Sequence, residues 1–467
     1  MATLLLKDAH TVATFDRKRR ELHGASIFVR DNVVEAIDAA GAPPRPADAT
    51  IDCSRMVLLP GLVNTHHHFY QTLTRSVPGT QDVKLFDWLQ TLYPMWGRFT
   101  PEAIRVSTQI AIAELLLSGC TASMDHTYIW PNGARVDDQI EAARGMGFRF
   151  HASRGSMSLG RSKGGLPPDD VVEDEAEILK DTQRVIEAYH DPKPFAMTRI
   201  VVAPCSPFSV TPDLMRESIA LARSAGVHSH THLAETLDEE KYCLEHFGCR
   251  PVELAEKLGW VGDDVWHAHM VHPSAAECER LGATRTGIAY CASSNMRLGS
   301  GIAPITALRS ANARVGLGVD GSASNDSSNM IDEARHAMLL QRIASGQNGV
   351  ILSRASSMRE SIDEGFFSAR DALELATRGG AEVLGRDDIG SLEPGKAADI
   401  AGWSIDSLEL SGAAVHDAIA SLVFCRPQRA DLVIVNGEHR VRNGELLNFD
   451  LQATVNRANE IAASLAR

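Results

Sequence analysis

Nowhere in this chain do 18 apolar residues run together, no CxxC pair occurs, and basic residues cluster only in the short stretch DRKRREL at 16–22. The first absence excludes a membrane-spanning helix, which needs about 18 to 20 consecutive apolar residues. The second leaves eight cysteines scattered at 53, 120, 205, 243, 249, 278, 291 and 425, with no disulfide-framework spacing, so they read as reduced thiols. The third, with Lys+Arg of 46 against Asp+Glu of 60 and a net charge of −14, argues against nucleic acid or an anionic membrane as the main partner. The N-terminal MATLLLKDAHTV lacks a charged n-region and carries only three consecutive leucines, so no signal peptide is expected and a soluble cytoplasmic protein is the default.

What is present falls into two textures. With 467 residues the chain exceeds what one hydrophobic core usually serves, so a barrel-sized domain plus a smaller one is expected. Short alternating or apolar runs in TLLLKDAHTVATF and ASIFVRDNVVEAIDA have the pattern of antiparallel strands. GSLEPGKAADIAGWSI and DLVIVNGEHRVRNGELL repeat it, the latter with an Asn436-Gly437 hairpin signal. Residues 1–57 and 380–467 are therefore expected to build one small β-sandwich, flanking a domain at 58–379.

The middle has a different rhythm. Eight short apolar runs, MVLLPGLVNTHHH, CTASMDHTY, GFRFHASRGS, RIVVAPCSPFSV, GVHSHTHLAE, DVWHAHMVH, GIAYCASSN and VGLGVDGSASND, mostly precede helical segments such as TPEAIRVSTQIAIAELLLSG and TPDLMRESIALARSAG. Eight strand-helix units predict a (β/α)8 TIM barrel, with a doubly wound open sheet as the alternative. In a barrel the active site lies at the C-terminal strand ends, and here those ends are rich in His, Asp, Glu and Cys. The stretch 153–170, SRGSMSLGRSKGGLPPDD, reads as a long mobile loop over the mouth.

On an extended chain His66 and His68 leave from one face and His67 from the other, so one strand end can present two imidazoles to a single ion. Zinc-like ions favour imidazole nitrogen. In HSHTHLAE, His232 lies at the strand's end, His228 and His230 sit deeper, and Glu235 in the following turn can face the cavity of His232. In WHAHMVH, His269 shares a face with His267 but lies nearer the mouth. Asp320, alone among small residues in GLGVDGS, is by itself an ordinary turn residue. At the end of the eighth run it completes a plausible set of three imidazoles and a carboxylate with room for water.

Two rivals are tested by the same residues. A second metal would need a bridging group such as a carbamylated Lys on the fourth strand, yet APCSPF holds none. The helical zinc deaminases use H-x-E followed by P-C-x-x-C, and Pro204-Cys205 has no second Cys at that spacing.

Taken together and in order, PGLVNTHHH, HTHLAET, AHMVHP, CASSNMRLGSG, GLGVDGSASND and LEPGKAADI resemble the amidohydrolase superfamily, in particular its mononuclear aminohydrolases. The resemblance covers nearly the whole chain. It implies a barrel with a terminal β-sandwich and one divalent metal per subunit, zinc or sometimes iron. It also implies metal ligation by His66, His68, His232 and Asp320, and proton-transfer roles for Glu235 and His269. Asp320 would take a proton from the attacking water with His269 orienting it, and Glu235 would protonate the adjacent ring nitrogen as ammonia leaves.

Within the superfamily, THHHFYQTLTR, LFDWLQ, SRGSMSLGRSKGGLPPD and APCSPFSVT most resemble the 8-oxoguanine deaminase branch, which also takes smaller analogues such as isocytosine. Guanine, other purines or pyrimidines and s-triazines are the alternative substrates, and a catalytically silent binding protein is the rival of another class. Gln71 offers an amide, Trp88 a flat surface, and Cys205 and Arg154 further contacts to a heterocycle. Each also has a plain reading: Gln71 as a helix-start residue, Trp88 as packing of the entry helix, Cys205 as a small filler. Ser156 closes the third run beside Arg154, and His126, after the second, is either a further contact or a core imidazole. A homo-oligomer is expected, since symmetric assemblies are common.

Overall fold

A computed structural model describes residues 2–355 and 367–466. Among the described residues seventeen strands form two sheets. The first five are β1 (Thr3–Ala13), β2 (Glu21–Arg30), β3 (Val33–Asp38), β4 (Ala49–Asp52) and β5 (Met56–Pro60). Then come β6 (Leu62–Asn64), β7 (Cys120–Asp125), β8 (Arg149–Ser156), β9 (Thr198–Pro204), β10 (His228–Leu233), β11 (Val265–His269), β12 (Gly287–Tyr290) and β13 (Arg314–Leu317). The last four are β14 (Ile400–Ser404), β15 (Leu432–Val435), β16 (Glu438–Arg442) and β17 (Glu445–Leu446).

Strands β6 to β13 pair in chain order, all parallel, and each coincides with one of the eight apolar runs. The last meets the first: Thr65 donates to the Leu317 carbonyl through its backbone N–H (2.9 Å) and its hydroxyl (2.8 Å), and Asp320 N–H donates to the His66 carbonyl (3.0 Å). This is a nearly closed (β/α)8 barrel, not an open sheet. The intervening helices start where the sequence supplies caps. Thr100 and Thr211 accept the Ala103 and Leu214 N–H groups, each followed by Pro at the first helical position, and Gly226 ends the second helix at φ +67°.

Both termini build the second layer as one continuous mixed sheet, in the order β17-β16-β15-β14-β5-β1-β2-β3, in place of two separate sheets. The reason is β1, whose 11 residues pair antiparallel with β2 and parallel with β4 near one end and β5 near the other. β5 in turn pairs with β14 and draws in the C-terminal strands. The chain passes from this sheet to the barrel at Gly61, where a Cβ would come within 2.1 Å of Thr121 Oγ1. The two layers are tied by a fully buried fork, Arg149 Nε and Nη2 donating to the two oxygens of Asp399, both at 2.9 Å.

The stretch after β8 is pinned rather than free. Ser158 and Leu159 N–H donate to the Ser209 carbonyl, Leu166 N–H to that of Phe208, and Glu173 N–H to that of Met157, which is fully buried. Among the described residues no helix is long and apolar enough to cross a membrane.

Candidate active site

The triple histidine follows β6 at the C-terminal mouth, and the three rings do different things. His67 turns away: its Nδ1 accepts the His68 backbone N–H (2.8 Å), which leaves Nε2–H to donate to Ser328 Oγ (2.9 Å). His68 Nδ1–H donates to the His126 carbonyl (2.6 Å), and His232 Nδ1–H to the Cys205 carbonyl (2.7 Å). His230 Nδ1–H donates to the Trp266 carbonyl (3.0 Å), so its Nε2 is a lone pair that accepts from His66 Nδ1–H (2.8 Å). Hence His66, His68 and His232 all present an unprotonated Nε2. Burial keeps His66 far below its ordinary pKa and lowers His232 to about 3, so both rings are neutral, the form that binds metals.

Those lone pairs converge. His68 Nε2 lies 3.1 Å from His232 Nε2, and His66 Nε2 and His68 Nε2 each lie 3.2 Å from Asp320 Oδ1. His66 Nε2 is buried without a hydrogen-bond partner. Three lone pairs and a carboxylate oxygen this close, away from water, repel one another unless a cation sits among them. A tetrahedral ion with 2.0 to 2.1 Å bonds separates its ligand nitrogens by about 3.3 Å, which matches this spacing. The donor set therefore fits a divalent metal.

Asp320 is held in the left-handed region (φ +63°), as are Ala234 (+54°) and His269 (+72°), all at strand ends facing the mouth. The Asp320 carboxylate accepts from Gly321 N–H (2.7 Å) and from Ser324 Oγ (3.2 Å). Gly318 lets β13 pass the site, since a Cβ there would stand 2.7 Å from that of His66.

Two further titratable side chains, His269 and Glu235, border the cluster. His269 Nδ1–H donates to Asn295 Oδ1 (3.0 Å), aiming Nε2 at Glu235 Oε2 (3.5 Å) and Asp320 Oδ2 (3.9 Å). Ligating atoms of His66, His232, His269 and Asp320 all lie within 4.8 Å of one another, so His269 is a geometric competitor of His68. The shorter distances of His68 match ligand spacing better. Glu235 is 4 % exposed, and burial, reinforced by Asp320, raises its carboxyl to about 8. It thus carries a proton at neutral pH.

The cluster floors a cleft of about 390 Å³, open mouth included, walled by Leu85, Trp88, Leu89, Phe208 and Leu298. Gln71 and Cys205 line it, and so does Trp88, whose Nε1–H donates to the Ala323 carbonyl (3.3 Å). Gln71 Oε1 accepts the Ala323 N–H (3.3 Å). Burial raises the Cys205 thiol to about 12, so it is a neutral wall group.

Arg154 does not reach the cleft, a correction to the sequence reading. Its guanidinium donates to Asp181 (2.8 Å) and forks onto Glu173 (3.0 and 2.7 Å), because its place on β8 faces the helix Glu175–Tyr189. Ser156 lies outside the lining and accepts the Cys205 N–H through its carbonyl (2.9 Å). His126 stacks on His232 (4.8 Å, 19°) and donates Nε2–H to the Ala203 carbonyl (2.9 Å), a core imidazole beneath the cluster. His267 turns outward to the Trp260 carbonyl (2.9 Å).

Asn295, Ser324 and Glu239 also support the site, through His269, Asp320 and the Ala234–Glu235 backbone respectively. Asn295 lay in view within CASSN. Glu239 was signalled by Thr236-x-x-Glu239, the spacing of a helix capping box.

The profile of the Amidohydrolase family matches residues 57–440. The chain is 46 % identical over 456 residues to an 8-oxoguanine deaminase of Pseudomonas aeruginosa, covering 97 % of each. It is 36 % identical over 466 residues to a hydroxydechloroatrazine ethylaminohydrolase of Pseudomonas sp. strain ADP, covering 96 % of this chain and 93 % of the other. Among solved structures, the zinc complex of atrazine chlorohydrolase from Arthrobacter aurescens superposes with a TM-score of 0.90 at 35 % identity, covering 98 % of this chain and 100 % of the other.

Proposed function

The chain belongs to the amidohydrolase family, and from that premise we propose that it hydrolyses 8-oxoguanine to uric acid and ammonia. That it is a metal-dependent deaminase, a hydrolase of C–N bonds, follows from its relatives. The chemistry is carried by one observation: the Nε2 lone pairs of His66, His68 and His232 and Asp320 Oδ1 converge opposite the buried carboxyl of Glu235, which burial raises to about 8. The substrate rests on the 46 % identity across 97 % of both chains, and on a narrow cleft with an indole wall and the Gln71 amide at its edge.

His66, His68, His232 and Asp320 are the proposed ligands of one divalent ion, zinc by its preference for imidazole, with iron as the alternative. When bound, such an ion supplies the Lewis acidity that lowers the pKa of water from about 15.7 to about 7. The side chains then have distinct tasks. Asp320 Oδ2, 3.9 Å from His269 Nε2, accepts one proton from the water that attacks the amino-bearing ring carbon, and His269 orients that water. Glu235 gives its proton to the adjacent ring nitrogen, taking up the electron pair displaced from the C=N bond. The Asp320 proton passes to the amino group, the exocyclic C–N bond breaks and ammonia leaves. The hydroxyl proton of the new carbonyl returns to Glu235. Water is consumed, no redox change occurs, and both carboxyl groups end as they began.

Eight free cysteines and a net charge of −14 suit a cytoplasmic enzyme with a small-molecule partner and no nucleic acid, and we take it as a homo-oligomer. An ammonia-release assay on 8-oxoguanine, guanine, isocytosine and hydroxylated s-triazines tests the substrate. A kcat/KM for 8-oxoguanine no better than for guanine or a triazine would overturn the assignment.

A further inference from the structure

The turn that presents Glu235 is an unusual piece of backbone. Ala234, in the left-handed region at φ +54°, breaks β10 and swings the chain toward the helix Leu237–Phe247. A non-glycine residue persists in that region only when its surroundings hold it there. The holding group is the Glu239 carboxylate, 1 % exposed: Oε1 accepts the Ala234 N–H (2.9 Å) and Oε2 the Glu235 N–H (2.8 Å).

This differs from an ordinary helix cap. Thr236 is the N-cap and accepts the Glu239 N–H (3.3 Å), but the Glu239 side chain does not return to the N-cap N–H as in a capping box. It reaches further upstream and takes the two N–H groups that precede the cap. The other side of the same turn is bound to the segment that follows β11. The Ala234 carbonyl accepts both Val271 N–H (2.9 Å) and His272 N–H (3.0 Å), just beyond His269. One peptide segment is clamped by Glu239 on one side and by Val271 and His272 on the other, and across it Glu235 stands 3.5 Å from His269. Glu239 itself is absent from the cleft lining.

We propose that Glu239 is a positioning residue that holds the Glu235 carboxyl at the reacting ring nitrogen, acting through the Ala234–Glu235 backbone and touching neither substrate nor metal. The inference rests on Glu235 being the proton donor of the proposed deamination. Glu239→Gln is isosteric but offers one acceptor and one NH2 donor, so one of the two backbone N–H groups meets a donor and the turn relaxes.

The experiment is a double-mutant cycle on the metal-loaded enzyme with Glu235→Gln, Glu239→Gln and the combination, measuring kcat, KM, metal content and melting temperature. Glu239→Gln is expected to lower kcat about 10- to 100-fold, the usual effect of a supporting partner, with metal content and KM unchanged. The double variant is expected to be as slow as Glu235→Gln alone, because a group that acts only through Glu235 has nothing left to orient. Turnover of Glu239→Gln near wild type, a double variant slower by the full product of the single losses, or loss of fold or metal in Glu239→Gln each overturns the inference. Near-normal turnover of Glu235→Gln would instead remove Glu235 as proton donor, and this inference with it.

Discussion

His66 Nδ1 stands 2.8 Å from His230 Nε2, and His230 in turn is anchored to the Trp266 carbonyl at 3.0 Å. His66 and His68 are two residues apart in the chain, yet they obtain their tautomers differently. His68 uses a backbone carbonyl, whereas His66 uses a second imidazole from the fifth barrel strand.

His230→Phe is therefore expected to weaken metal retention by about 10- to 100-fold, since His66 loses the partner that fixes its proton on Nδ1. Elemental analysis after dialysis against a graded chelator series checks this. An unchanged retention curve would show that His66 needs no such partner.

Asp320→Asn replaces the one anionic donor in the cluster with a neutral amide. It is expected to lose metal or activity, while His66, His68 and His232 remain buried in place. Full metal content together with wild-type kcat would remove Asp320 from both roles assigned to it.

Glu235→Gln is expected to keep its metal and lose about 10² to 10⁴ in kcat, the range of a general acid or base. Steady-state kinetics on metal-loaded protein measure it, with KM changing little because the cleft walls are intact.

Arg154→Met is expected to leave KM within about twofold of wild type, because an interaction outside the cleft adds no substrate binding. Melting temperature should fall, since Glu173 and Asp181 lose their shared cation. A large rise in KM at unchanged stability would place Arg154 back against the substrate.

Arg149→Ala is expected to destabilise the fold by about 3 to 5 kcal/mol, the cost of leaving a buried partner charge uncompensated. Denaturant unfolding checks the value. A loss below 1 kcal/mol would mean that the Arg149–Asp399 fork is not what joins the layers.

What the sequence determined by itself was local and periodic. The eight apolar runs, their polar closers and the HxH alternation depend on side chains leaving a strand on alternate faces, a property of a few consecutive residues. That is why every barrel strand and the outward turn of His67 were legible. The tertiary structure decided which face of each strand end met the cleft. Alternation puts Arg154 on one of two sides, but only the packing of the helix Glu175–Tyr189 against β8 shows that its side is the outer one. It also decided every proton position. The hydrogen-bond partners that expose Nε2 on His68, His232 and His66 come from 58, 27 and 164 residues away, and no spacing within a motif carries that information. For the same reason Glu239 stood unassigned. The Thr236-x-x-Glu239 spacing points only to a helix cap, whereas the reach of Glu239 to the Ala234 and Glu235 N–H groups depends on the left-handed turn at Ala234, which that spacing does not encode.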